Sequence, residues 1–420
     1  MWDLVPGFPA LQLRLVCRPF DIFSEGETMA TSSTPAPKFS ARDLASILGR
    51  NQGPELFFQQ PFAIDTAPII PKNLNVNRPL ERIHLVWRGR VVIAGANYTA
   101  IAAEAPQTII QRIRLTGTHQ RFGSLTPIDI TGATAFTLGR LTRFRGSSLY
   151  INGVRQNELG VPLAQAGATF GNVGTYDLEI HYVIPMGPIL SVSSKLSTIP
   201  FLFMNSDWGD TLQLQIFMGD GTSFGTLAGG TTTTFTAFGS GAGSPLITIF
   251  TNYEILGPLA NSISPAVVIR SEQSQTAPVA ANGNAVRIQL LQKQKTTNIF
   301  VKTGTILAGT AAGISVFGVM SDNVLDFTQP VVDNKPIRNN FNNFAMKEYV
   351  GYAFDTVMPQ GYLNFTFLDA QQPLTYYRAD LLAGGSTFEL DSNVIGGGAG
   401  VTCNVLQEQV IGDPGAVAGA

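Results

Sequence analysis

Along residues 175–185 apolar and polar side chains alternate with a period of two. Tyr176, Leu178, Ile180, Tyr182 and Ile184 fall on one face, and Asp177, Glu179 and His181 on the other. That is the spacing of a strand with one side on a core. Gly174 opens the stretch and Pro185 closes it. Similar apolar runs bounded by turn residues predict strands over 56–64, 82–93, 108–115, 210–217 and 246–255. In 108–115 the isoleucines are spread over both faces, which suits a strand partly covered on either side. Gly257, Pro258 and Pro265 interrupt the pattern. It resumes over 267–273, 285–292, 298–303, 313–320, 362–368, 387–390 and 401–406. Short, regularly spaced strands with turn signals argue for sandwiches or barrels. The expectation is an all-β chain of two stacked β-sandwiches, alike in pattern but without a sequence repeat.

Three stretches depart from the strand pattern. Residues 40–49 read as a short helix, with Ser40 as N-cap, Asp43 in the first turn and Gly49 as its stop. Leu44, Ile47 and Leu48 share one face there, and Lys38, Arg42 and Arg50 flank it. Such a segment suits a membrane surface or a neighbouring subunit, and packing on its own domain is the plainer alternative. Residues 131–172 mix short helical stretches with loops. Residues 219–244, rich in Gly, Thr and Ala, are too poor in large apolar side chains to build a core and are expected to form a long exposed loop. The organisation expected is therefore an N-terminal arm with the short helix over 1–53, a first sandwich over 54–256, a second over 257–412 and a flexible tail over 413–420. Within the arm, 1–28 reads either as an extension upstream of a start at Met29 or Ala30, or as a disordered arm.

Composition narrows the function classes. At 420 residues the chain is long enough for two domains. Charged residues are only 13%, about half of the usual ~25%, and no apolar run approaches the ~20 residues of a membrane-spanning helix. The missing charge is best explained by outer surface that is covered by other subunits. A net charge of −2 gives no basic footprint for sequence-specific nucleic-acid binding. Cys17 and Cys403 are too few for a disulfide scaffold and too isolated for a zinc knuckle, which fits synthesis in a reducing cytoplasm.

Reactive groups do not converge. His84, His119 and His181 are the only histidines and lack metal-ligand spacing. Gly239 to Gly243 mismatches a nucleophile elbow, and Gly219 to Gly225 resembles a glycine fingerprint in the wrong context. The nearest carboxylate pairs, Asp177 with Glu179 and Asp322 with Asp326, read as ordinary solvated groups. No catalytic residue, cofactor or metal is expected, and the chain does not read as an enzyme. Arginines are dense between 112 and 155, and Arg112, Arg114, Arg140, Arg143 and Arg145 are taken as candidate subunit-contact residues.

The proline-led strand from Ala105 to Ile113, with its Ile-Ile-Gln-Arg run, and the stretch ending in Ile184 and Pro185 followed by the strand 211–217 resemble one family. It is the double jelly-roll major capsid proteins of tectivirus-like, membrane-containing icosahedral phages. The resemblance covers roughly 54–411 and is one of order and spacing. It implies two tandem eight-stranded jelly-roll β-sandwiches with a short N-terminal helix. It also implies homotrimers that tile as pseudo-hexameric capsomers in the capsid shell of the virion, with neighbouring capsomers, vertex or penton proteins, and minor capsid or membrane proteins as partners. The lipid of an internal membrane would lie beneath Lys38, Arg42, Leu44, Ile47 and Leu48. A carbohydrate- or receptor-binding β-sandwich, such as a virion spike, remains the competing reading.

Overall fold

The computed structural model describes residues 48–61, 74, 79–141, 146–156, 170–189, 203–204, 207–208, 211–256, 263–264, 266–276, 285–292, 294–307, 317–320, 325–337, 358–367, 377, 379–394, 401–412 and 416–417. In chain order the strands are β1 (Leu48–Pro61), β2 (Pro79–Ala94), β3 (Tyr98–Ile101), β4 (Ile110–His119), β5 (Gly123–Thr131), β6 (Ser148–Ile151), β7 (Val154–Gln156) and β8 (Gly174–Pro185). Then come β9 (Phe203–Met204), β10 (Gln213–Met218), β11 (Gly225–Leu227), β12 (Thr232–Thr236), β13 (Leu246–Leu256), β14 (Ile263–Ser264), β15 (Val267–Thr276) and β16 (Ala285–Gln289). The last are β17 (Lys295–Ile306), β18 (Phe317–Met320), β19 (Leu325–Val332), β20 (Lys335–Pro336), β21 (Tyr362–Thr366), β22 (Phe388–Val394), β23 (Val401–Ile411) and β24 (Ala416–Val417). Among the described residues one α-helix, α1 (Gly132–Leu141), is present, and it follows β5 directly.

Three sheets carry the architecture. The first runs β1-β13-β2-β8-β6-β7, with β9 and β12 also paired to β2. The second runs β10-β4-β5-β15-β23-β17-β18, with β21 paired to β17. The third runs β16-β22-β19-β20. The middle sheet therefore contains strands from both sides of residues 257–262, joined where β5 and β15 pair in parallel at Ile128 with Arg270 and Asp129 with Ser271.

Alternation explains which faces are dry. β2 and β8 pair without a break from Arg82 opposite Pro185 to Ile93 opposite Gly174. On one face Ile83, Leu85, Trp87, Val91 and Ile93 meet Tyr176, Leu178, Ile180, Tyr182 and Ile184, all of them buried. Each such side chain contributes about 1.5–3 kcal/mol of burial. Gly89 interrupts the row because a Cβ there would lie 2.5 Å from Pro245 and 2.9 Å from the Trp87 ring.

Several expectations change. The blurred alternation of 108–115 has a local cause: Gln107–Ile109 form a single 3-10 turn and the register with β10 shifts between Met218 and Phe217, so both Ile109 and Ile110 are buried. From Arg112 onward the period of two is regular. The expected loop 219–244 instead holds a 3-10 turn, Gly221–Phe224, and the strands β11 and β12, and β12 extends the first sheet by pairing with β2. Thr and Phe at alternate positions suffice for that edge strand because β2 supplies the apolar partner surface. The expected helix 40–49 falls outside the described residues as far as 47, while Leu48 and Gly49 open β1, where pairing with β13 outweighs the local helix signals. In the C-terminal tail, Ala416–Val417 pairs with Ile263–Ser264.

Candidate functional site

Five charged side chains, Glu104, Arg270, Glu272, Lys302 and Glu408, gather where α1 and residues 185–189 lie on one face of β15, β23 and β17. Alternation puts Arg270 and Glu272 on that face of β15, and the registers place Asn404, Leu406 and Glu408 of β23 and Asn298, Phe300 and Lys302 of β17 beside them. The opposite face carries Ile299, Val301, Cys403 and Val405, all buried. A polar face that would meet water in an isolated sandwich is here a seam between the two parts of the chain.

Two buried clusters stitch the seam. In the first, Arg270 Nε donates to Glu408 at 2.9 Å, and the two side chains are 2% and 0% exposed. Arg270 also donates to the carbonyls of Pro185 and Gly187. Glu408 in turn accepts from Thr297 Oγ1 at 2.8 Å, from Asn298 Nδ2 at 2.6 Å and from the backbone N–H of Ile189 at 3.1 Å. A planar guanidinium reaching a carboxylate and two carbonyls at once uses the geometry that distinguishes Arg from Lys. In the second, Lys302 Nζ lies 3.1 Å from Glu104 and 3.7 Å from Glu272. Tyr362 donates to Glu104. Glu272 accepts from the Thr131 N–H at 2.7 Å and from Thr134 Oγ1 at 2.9 Å, so the start of α1 is tied to β15. Burial opposes the Lys302 charge, but the two carboxylates outweigh it and hold the ammonium above its ordinary value. Burial first, then the Glu104 charge, push the Tyr362 phenol well above its usual range. A cavity with about 10 Å³ open to a water's centre lies here, lined by Thr134, Thr137, Leu138, Leu141, Phe300, Tyr362 and Leu406 together with Glu272, Lys302 and Asn404.

None of these seam residues was singled out by sequence reasoning. Charged residues at alternate positions of a strand, such as Arg270 and Glu272, read as a solvent-facing side.

The arginines taken as candidate contact residues have partners within the chain. Arg112 is bidentate to Asp129, with Nη2 at 2.8 Å, and Arg114 reaches the same carboxylate at 3.4 Å. Arg140 donates to the Gln156 carbonyl at 2.7 Å and lies 4.6 Å from the centre of the Phe136 ring. Burial and then Arg155 lower Arg140 to about 10, so it is still a cation at neutral pH. Arg143 and Arg145 lie outside the described residues, as do Lys38, Arg42, Leu44 and Ile47.

The histidines do not converge. His84 Nε2 is buried without a hydrogen-bond partner, and burial, Arg82 and His181 lower the ring to about 4. His119 packs between Phe122 and Trp208 at centroid distances of 4.7 and 5.0 Å, and its Nδ1 accepts the Arg121 N–H. His181 meets Glu179 at 2.8 Å on the polar face of β8, where Arg88 also reaches Glu179 and Arg90 makes a bidentate pair with Asp177. Among the described residues no three His, Cys, Asp or Glu side chains are placed to hold a metal ion, and Trp87 and Trp208 are core side chains rather than an exposed sugar platform.

No family model matches the chain, and no curated protein matches it in sequence. Among solved structures, the major capsid protein of STIV, Sulfolobus Turreted Icosahedral Virus, superposes with a TM-score of 0.54 at 10% identity, covering 87% of this chain and 96% of that one. The PBCV-1 virus capsid superposes with a TM-score of 0.52 at 12% identity, covering 86% and 94%. Correspondence over nearly the whole of both chains leaves no room for a single sandwich with an appendage. The fold is a double jelly roll. The middle sheet is continuous across β5 and β15, and α1 lines a cavity with Glu272, Lys302 and Asn404 of the second cluster.

Proposed function

We propose that the chain is a structural major capsid protein that self-assembles as pseudo-hexameric trimers into the icosahedral shell of a virion. The observation that carries this reading is the full-length double jelly roll whose two parts are joined by a continuous sheet and a buried polar seam. A trimer of such units presents six barrels, and a shell needs each pair of barrels to behave as one stiff block. The paucity of charge supports extensive subunit contact, and many weak contacts per capsomer suffice because they act together. Arg112 and Arg114, whose side chains keep 38% and 33% exposure, suit the rim of such a contact, with Asp129 holding their guanidinium groups in place. Further parts of the reading are domain limits near 54–256 and 257–412, an internal membrane met by the arm through Lys38 and Arg42, vertex and minor capsid partners, and the absence of turnover.

Native mass spectrometry of the expressed full chain is expected to give a trimer that survives dilution, and electron micrographs to show capsomers or shells. A stable, well-hydrated monomer would overturn the reading.

A further inference from the structure

Lys302 and Asn404 stand directly opposite each other on the antiparallel strands β17 and β23. Both are buried, at 4% and 3% exposure. Both meet the same carboxylate oxygen: Glu272 Oε1 is 3.7 Å from Lys302 Nζ and 3.3 Å from Asn404 Nδ2. Asn404 Oδ1 is buried with no hydrogen-bond partner, so the amide is held only through the nitrogen that faces Glu272. The surroundings are largely apolar: Phe300 and Leu406 line the same cavity as all three groups, and the Phe317 ring lies 5.4 Å from Nζ. An amine, a carboxamide and a shared carboxylate in an apolar pocket are the parts of an amide-exchange reaction, with the amine as nucleophile and the carboxylate as proton carrier.

We propose that Lys302 and Asn404 become joined by an intramolecular isopeptide bond, with Glu272 moving the proton. Lys302 Nζ attacks Asn404 Cγ, the Nζ–Cγ bond forms and the Cγ–Nδ2 bond breaks. Nζ gives up two protons in all: Glu272 passes one to Nδ2, which leaves as ammonia, and keeps the other, so the carboxylate ends protonated. Oδ1 remains the carbonyl oxygen, and no oxidant or other reactant is consumed. Glu104 and Glu272 keep Lys302 protonated before reaction, so the reactive amine is reached by passing its proton to Glu272 inside the pocket. The product crosslinks two neighbouring strands of the middle sheet at the seam, on the face covered by α1.

The test is the mass of the full-length protein, purified folded and then measured denatured. The crosslinked chain is about 17 Da lighter than its sequence from the determined N-terminus, the loss of one ammonia. Digestion and fragmentation should give one branched peptide joining the segments around Lys302 and Asn404. Asn404→Ala and Lys302→Met are expected at full mass, and Glu272→Gln at full or nearly full mass. A folded wild-type chain at full sequence mass, without the branched peptide, overturns the proposal whatever the variants do. A Glu272→Gln chain that still loses the ammonia completely overturns the role given to Glu272.

Discussion

Removing Arg270 tests the seam most directly. Arg270→Met leaves the Glu408 carboxylate, which is fully buried, without its cation, and it deprives the Pro185 and Gly187 carbonyls of a donor. Thr297, Asn298 and the Ile189 N–H still donate to Glu408, so the carboxylate is not bare. Breaking a buried pair by deleting one partner costs about 3–5 kcal/mol, and the remaining donors favour the lower end of that range. The internal control is Arg88→Met. Arg88 pairs with Glu179 at 3.1 Å, but the two side chains are 52% and 29% exposed, and such pairs contribute about 0–1 kcal/mol. Urea unfolding of both variants at neutral pH, followed by Trp fluorescence, should show a large fall in midpoint for Arg270→Met and almost none for Arg88→Met. Arg270→Lys should fall between the wild type and Arg270→Met, because a single ammonium cannot reach the carboxylate and both carbonyls. Equal shifts for Arg270→Met and Arg88→Met would refute the claim that the seam depends on this ion pair.

Three further outcomes follow from particular contacts. His84 is lowered from 6.5 to about 4 in the folded chain, so the unfolded state takes up a proton first as pH falls. Stability should then decline between pH 6.5 and 4 by roughly 2–3 kcal/mol, and His84→Gln should flatten that acid limb in urea midpoints taken at pH 7 and 4.5. At Gly132, which opens α1, a Cβ would lie 2.1 Å from the Ile110 carbonyl oxygen. Overpacking of that kind costs about 1–3 kcal/mol and should outweigh the ~1 kcal/mol that Ala gains over Gly in a helix. A rise in the thermal midpoint of Gly132→Ala would show that contact to be loose. Asp129→Asn removes the carboxylate shared by Arg112 and Arg114, but with those side chains 38% and 33% exposed the unfolding free energy should change by less than about 1 kcal/mol.

The parts of this fold legible in the sequence are those where one strand face is dry and the other wet. β8 is the clearest case: Tyr176, Leu178, Ile180, Tyr182 and Ile184 are all buried, as their spacing predicts. The strand β12 was invisible because its stability comes from pairing with β2, and its own residues are mostly threonines. The seam was invisible for a different reason. Arg270, Glu272 and Glu408 occupy positions that a period of two assigns to the solvent side, and only the docking of α1 and residues 185–189 turns that side inward. Spacing along one strand shows which residues share a face, but it does not show what covers that face.

The seam also changes the meaning of the low charge. A chain with 27 basic and 29 acidic residues has little charge to keep its surface solvated. Yet Arg270, Lys295, Lys302, Glu389 and Glu408 are buried, at 1%, 7%, 4%, 7% and 0% exposure. Those five charges are withdrawn from the outer surface. Spending charges on an internal junction makes sense for a unit whose two barrels must not shear past each other, since a buried network penalises any displacement that unpairs it. The proposed subunit contacts would in turn favour flanks with little charge, since interface cores are depleted in it. On that view, variants that add Lys or Glu to the outer faces of the first and third sheets should leave folding intact and reduce assembly. Measuring their monomer stability and their trimer yield separately distinguishes a covered flank from one that is merely apolar.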